Sequence, residues 1–196
     1  MKKVDVVIRS GFFMLLTFLL VFLETKWIVA ALLAVMVHEA GHVAAMMILK
    51  IRIKSITFCS TGVSIAYTGE YTPYLHDIFA AIAGPLANIF VAFICCQMYK
   101  NTGGEFSGVF MAFNVCLAIF NLLPIKYLDG GKVMYSLSAV FTDPIFAEKI
   151  LQVFSDIFAL LILFFGIYLF YTTGFNFTLL LTSLWLLYVV NKPEMV

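Results

Sequence analysis

Residues 27–49 read WIVAALLAVMVHEAGHVAAMMIL, and this stretch decides the fold. Apart from His38, Glu39 and His42, every residue in it is apolar or small. Such a run is long enough to cross a bilayer's hydrocarbon core, which takes about 20 residues of helix. Residues four apart on a helix share a face, with β-carbons about 5–6 Å apart. His38 and His42 can therefore aim two imidazole nitrogens at one point. Histidines bonding between packed helices are the plainer reading of such a pair, but Glu39 weighs against it. An ionisable group inside a membrane is costly and marks function by default. Three of them within five residues need a shared partner, and a divalent cation is the simplest. With three histidines and six glutamates in the chain, H-E-x-x-H would arise by chance on the order of once in a thousand such sequences. In that pattern the two histidines are metal ligands, and the glutamate is the base acting on a metal-bound water.

The rest of the chain shares the same solvent. Of its 196 residues, 63% are hydrophobic and 12% charged, where a soluble domain is nearer half and a quarter. Mean hydropathy is +1.05. These values exclude a disordered chain, a nucleic-acid binder and an ordinary cytosolic enzyme. Apolar runs at 11–23, 78–99, 106–125, 151–171 and 175–190 join 27–49 to predict an all-α integral membrane protein. It would have six transmembrane helices in one domain, 1–196. The first run is short, and snorkelling of Arg9 would extend it. No small-x-small cleavage site follows Leu23, so it reads as a retained helix rather than a signal peptide. Cys59, Cys95, Cys96 and Cys116 show no C-x-x-C spacing and suggest no disulfide scaffold.

Six spans sort the twelve basic residues ten to two. Lys2, Lys3, Arg9, Lys50, Arg52, Lys54, Lys126, Lys132, Lys149 and Lys192 fall on one side, with only Lys26 and Lys100 on the other. The positive-inside rule puts the first set, and with it both termini, in the cytosol. The connection after residue 49 alternates: Ile51, Ile53, Ile56 and Phe58 against Lys50, Arg52 and Lys54. Val63, Ile65 and Tyr67 then share a face beyond a turn at Ser60, Thr61 and Gly62. A small β-ribbon at the cytosolic side is expected.

A catalytic zinc takes three protein ligands and keeps a position open. His76 sits at the membrane edge, so Asp129 is the better third ligand. Pro124 should end the fourth span, after which Asp129 could turn inward on the hinge of Gly130 and Gly131. Taken alone, Asp-Gly-Gly is more often a turn or the N-cap of a helix over 132–140. Asn88 and Asn121 lie in apolar surroundings where an asparagine commonly bonds to a neighbouring helix. Asn114 has that same plain reading and lies in no motif.

His38-Glu39-x-x-His42 is followed by Ala83-Gly84-Pro85-Leu86-Ala87-Asn88 in the next span. Then come Asn121-x-x-Pro124 and Leu128-Asp129-Gly130. In this order, over residues 30–140, the three motifs resemble the site-2 protease family of intramembrane zinc metalloproteases. The resemblance implies one zinc ion per chain on His38, His42 and Asp129, with Glu39 catalytic. It implies that Asn88 and Asn121 hold the substrate backbone or stabilise the developing oxyanion. The substrate it implies is a membrane-tethered protein within the lipid bilayer, with room for a regulatory partner in the membrane and no role for nucleic acid. No PDZ or CBS domain accompanies the core, and this compact plan is most similar to the sporulation branch, which processes a membrane-tethered pro-sigma factor. A substrate helix hides its carbonyls in backbone bonds, so cleavage would require local unwinding, and an edge strand of the ribbon could pair with the unwound segment. About 10 Å of helix separates His42 from residue 49, so the site should open towards the cytosol. A membrane metal transporter is the alternative, since some zinc permeases also carry H-E-x-x-H. It would need a second His/Asp-rich site in an adjacent span, which three histidines do not supply.

Overall fold

The computed structural model describes residues 5–8, 24–51, 53–59, 62–67, 73–173 and 177–191. Among them are the helices α1 (Thr25–Ile48), α2 (Tyr74–Thr102), α3 (Glu105–Asn121), α4 (Asp129–Phe141), α5 (Pro144–Thr173) and α6 (Thr178–Val190). There are also three strands, β1 (Asp5–Ile8), β2 (Ile53–Cys59) and β3 (Gly62–Tyr67). The apolar run at 11–23 lies outside the described residues. Helices α1, α2 and α5 are long and apolar enough to cross a membrane, while α3 and α6 are shorter apolar helices. The helix α4 corresponds to no expected span: its 13 residues would reach only about 20 Å.

The chain divides into two compact units, Met1–Ile119 and Phe120–Val196. In the first, α1 buries Ala30, Ala34, His38, His42 and Met46, a stripe at every fourth residue. On α2 the buried set is Ala80, Ala81, Gly84, Pro85, Asn88, Ala92 and Cys95, with much the same period. Small residues on both stripes let two backbones approach closely, which is how helices associate where lipid removes the hydrophobic driving force between them. A β-carbon added to Gly41 would lie 2.8 Å from the Ala87 Cβ and against the Ala83 carbonyl. The outward face of α2 carries Phe79, Leu86, Phe90 and Phe93, each more than half exposed. Exposed aromatic and aliphatic side chains in such density suit a lipid surround. Lys26 at the start of α1 donates to Glu105 at the start of α3 over 2.8 Å, so these two helix starts lie at one end of the unit.

The strands belong to this first unit. β2 pairs antiparallel with β3, from Ile53↔Tyr67 to Cys59↔Gly62, with an irregularity between Ile53 and Ser55. β1 runs parallel to β2, from Asp5↔Ser55 to Ile8↔Phe58. The order β1-β2-β3 leaves one side of β3 without a strand neighbour among the described residues. Of the expected turn, Ser60 and Thr61 lie outside the described residues and Gly62 begins β3.

The second unit is built on Ile125, Ala159, Leu186 and Val190, with Phe120, Leu123, Leu128, Phe158, Ile162 and Leu187 packed around them. α3 ends at Asn121, three residues before Pro124, as a missing N–H and a restricted preceding residue require. Tyr127 takes a left-handed conformation at φ 77°, reversing the chain into α4. The Ser155 hydroxyl on α5 accepts from the Lys126 amide at 2.8 Å, pinning this turn.

Candidate metal centre

The two histidines owe their placement to the small-residue seam. A β-carbon at Gly84 would run into the His42 ring, 2.6 Å from Cε1 and 2.9 Å from Cδ2, so only glycine leaves the imidazole its place. One turn earlier on α2, the Ala80 carbonyl accepts from His42 Nδ1 at 2.7 Å. One turn later, Asn88 Oδ1 lies 2.6 Å from His38 Nδ1. Ala80, Gly84 and Asn88 are four apart, and so are His38 and His42, so two antiparallel helices meet rung by rung.

For neutral imidazoles, these bonds indicate which ring nitrogen carries each proton. A carbonyl oxygen only accepts, so His42 carries its hydrogen on Nδ1. The Asn88 amide nitrogen donates to the Ala34 carbonyl at 3.0 Å and to Asn114 Oδ1 at 2.8 Å. Its oxygen is therefore the atom facing His38, which must also be protonated at Nδ1. Neutral imidazole has one N–H, so both Nε2 atoms present lone pairs. They lie 3.1 Å apart, with the rings edge to face at 84°. Two lone pairs at that distance do not bond each other. They converge as two ligands converge on a cation, with the outer nitrogens held by carbonyl and amide acceptors as metal-bound histidines usually are. Both rings are buried.

Asn88 itself is fully buried, and both of its N–H donors and its oxygen are engaged within the protein. The family resemblance implies a substrate or oxyanion role; in the structure the side chain makes an orienting bond to a histidine. Asn114, which no motif singled out, is equally buried and stands directly behind it. Its i, i+4 partner on α3 is the Phe110 carbonyl. Glu39, next to His38 on α1, is half-buried.

Asp129 belongs to the second unit. It is buried and occupies the first helical position of α4, while the N-cap is Leu128, so Asp129 is not the cap that Asp-Gly-Gly suggests on its own. Four unsatisfied amides at a helix start favour a carboxylate there, and Lys132 Nζ lies 3.0 Å from Oδ1. Gly130 and Gly131 are helical rather than a hinge, with no positive φ. Their role is close approach. A β-carbon on Gly130 would strike the Leu122 carbonyl, and one on Gly131 the Ile125 carbonyl. Asn121 is the last residue of α3 and is half-buried. Among the described residues, His38, His42 and Asp129 are the donors that could hold a metal ion. Two imidazoles and one carboxylate suit zinc.

Comparison with known proteins bears on the family rather than on single ligands. Residues 97–165, which include Asn121 and Asp129, match Peptidase family M50. Stage IV sporulation protein FB of Bacillus subtilis (strain 168) is 33% identical over 116 residues, 57% of this chain and 40% of that protein. A relative from Synechocystis sp. with zinc metalloprotease in its assigned name is 33% identical over 127 residues, 58% of this chain and 33% of the relative. The chain thus spans well under half the length of either relative. Among solved structures, the Site-2 Protease from Methanocaldococcus jannaschii superposes with a TM-score of 0.73 over 100% of this chain and 93% of that one, at 18% identity. At that identity the likeness is one of fold. With its apolar helices, the chain is a multi-pass membrane protein.

Proposed function

We propose, from its likeness to Peptidase family M50, its sporulation-protein relative and the site-2 protease fold, that this chain is an intramembrane zinc metalloprotease of the site-2 protease family. Its substrates would be membrane-tethered regulatory proteins, cut in or near their transmembrane segments. The observation that carries the reading is the pair of histidine Nε2 lone pairs 3.1 Å apart. Their tautomers are fixed by acceptors on a neighbouring helix. On this reading 1–196 would be one metalloprotease domain with six spans, of which the run at 11–23 lies outside the described residues.

His38, His42 and Asp129 would hold one zinc ion. Zinc, when bound, supplies Lewis acidity, making a water easier to deprotonate and a peptide carbonyl easier to attack. Glu39 takes a proton from the attacking water and returns it to the leaving amine, the exchange a positioned carboxylate performs in general acid–base catalysis. Asn121 is the residue for contact with the substrate backbone, and Asn88 serves the reaction by holding His38. The sheet lies at the cytosolic side, both termini are cytosolic, and the site opens to that side. α1 runs only six residues beyond His42, about 9 Å of helix. The free edge of β3 would receive the unwound substrate as an added strand. A tethered pro-sigma factor is the substrate type implied by the resemblance to the sporulation branch, and the Bacillus relative carries a sporulation name.

Purified protein, assayed for zinc and for cleavage of a model tethered substrate, tests this. Glu39→Gln should keep zinc and lose cleavage by roughly 10²-fold or more. Loss of zinc in that variant would make Glu39 a ligand, and wild-type turnover would remove it as the base.

A further inference from the structure

We infer that Asn114 is a positioning residue for the metal centre: through Asn88 it fixes His38 in the tautomer whose Nε2 presents a lone pair to a metal. The proposal rests on the metalloprotease reading above and extends it to a residue whose own hydrogen bonds go to Asn88 and the Phe110 carbonyl.

The chain of bonds has one permitted direction. The Phe110 carbonyl can only accept, so the Asn114 side chain turned to it at 2.8 Å is the amide nitrogen. Asn114 Oδ1 then faces Asn88 and accepts from its Nδ2 at 2.8 Å. The second Asn88 hydrogen goes to the Ala34 carbonyl at 3.0 Å. Asn88 Oδ1 is left to accept from His38 Nδ1 at 2.6 Å. Backbone carbonyls on α3 and α1 therefore fix the orientation of both amides, and the sense of the last bond follows. Reversing Asn88 would set its nitrogen against the His38 donor and its oxygen against two acceptors. Without Asn114, one of two groups opposing that reversal is gone, and a buried N–H of Asn88 loses its acceptor. Both asparagines are fully buried, where an unsatisfied amide is costly and a satisfied network specifies one arrangement. Nothing in the pattern of apolar runs distinguishes Asn114 from an ordinary interhelical asparagine; the assignment comes from the polarity of the chain.

Two readouts other than activity test it: zinc affinity by chelator competition, and the tautomer of His38 by magnetic resonance of metal-free protein carrying nitrogen-labelled histidine. Wild-type protein should bind zinc and show His38 protonated at Nδ1. Asn114→Leu should bind zinc roughly tenfold more weakly, at the low end of what loss of an outer-shell partner does, and give mixed His38 tautomers. Asn114→Asp, protonated in its buried setting, offers Phe110 a donor and Asn88 an acceptor, and should restore both readouts to wild-type values. Wild-type His38 protonated at Nε2 would overturn the inference. So would Asn114→Leu with wild-type affinity and a single Nδ1-protonated tautomer. Should Asn114→Leu not fold, Asn114→Asp decides: affinity within about twofold of wild type supports the relay, and a tenfold loss ends it. If wild-type protein binds no zinc, the metalloprotease reading itself has failed, which is a separate outcome.

Discussion

At the scale of single residues, the seam between α1 and α2 makes Gly84 as consequential as the histidines. Gly84→Ala would push a methyl group into the His42 ring, which the Ala80 carbonyl holds in place. Overpacking of this kind costs about 1–3 kcal/mol. A lowered melting temperature is expected together with weakened zinc binding, because the displaced ring is a ligand. A variant that melts lower but binds zinc as tightly as wild type would show that the ring has room to move. Asp129→Ala should lower the metal content of purified protein. Stoichiometric, tight zinc in that variant would leave Asp129 a purely structural role at the start of α4. The convergence of His38 and His42 was legible from spacing alone, since a helix converts i, i+4 into a shared face. Asn88 was legible as a motif residue, but its bond to His38 was not. A sequence shows that a polar side chain is in a membrane helix, yet not whether it meets a partner or a substrate. Asn114 was invisible for the same reason.

At the scale of elements, the helices were read where the bilayer enforces them. Runs 27–49 and 78–99 correspond to α1 and α2, and 175–190 to α6. Boundaries drifted where helix continues past the hydrocarbon. α5 begins at Pro144, before the apolar run at 151, because helical hydrogen bonding does not depend on hydropathy once the chain leaves lipid. α4 was read only as a possible capped helix, since it is too short to span. β1 went unread: four residues carry no usable alternation, and parallel pairing with β2 is a long-range choice. The proposed role of β3 yields a further expectation. Ile65, which pairs with Ile56, is central in that strand. Ile65→Pro would fix φ and delete one backbone donor, so cleavage should fall while zinc content stays unchanged. Unimpaired cleavage by this variant, with a rigid helical substrate cut as fast as a loosened one, would rule out strand addition.

At the scale of the whole molecule, the ten-to-two division of basic residues makes orientation testable. A reporter fused after Val196 should be active only in the cytosol; activity confined to the opposite side would reverse both the topology and the proposed side of product release. The order of the ligands along the chain has its own consequence. His38, His42, the carbonyls and the two asparagines that orient them all precede residue 119, within the first compact unit. Asp129 follows it. A ribosome translating this chain therefore makes both imidazoles, and the groups that orient them, before it makes the carboxylate. On the proposed ligand set, the nascent protein passes through a stage with two ligands that could capture zinc only loosely. Firm retention of the metal would wait for α4, making the last ligand synthesised the one that closes the site during biogenesis.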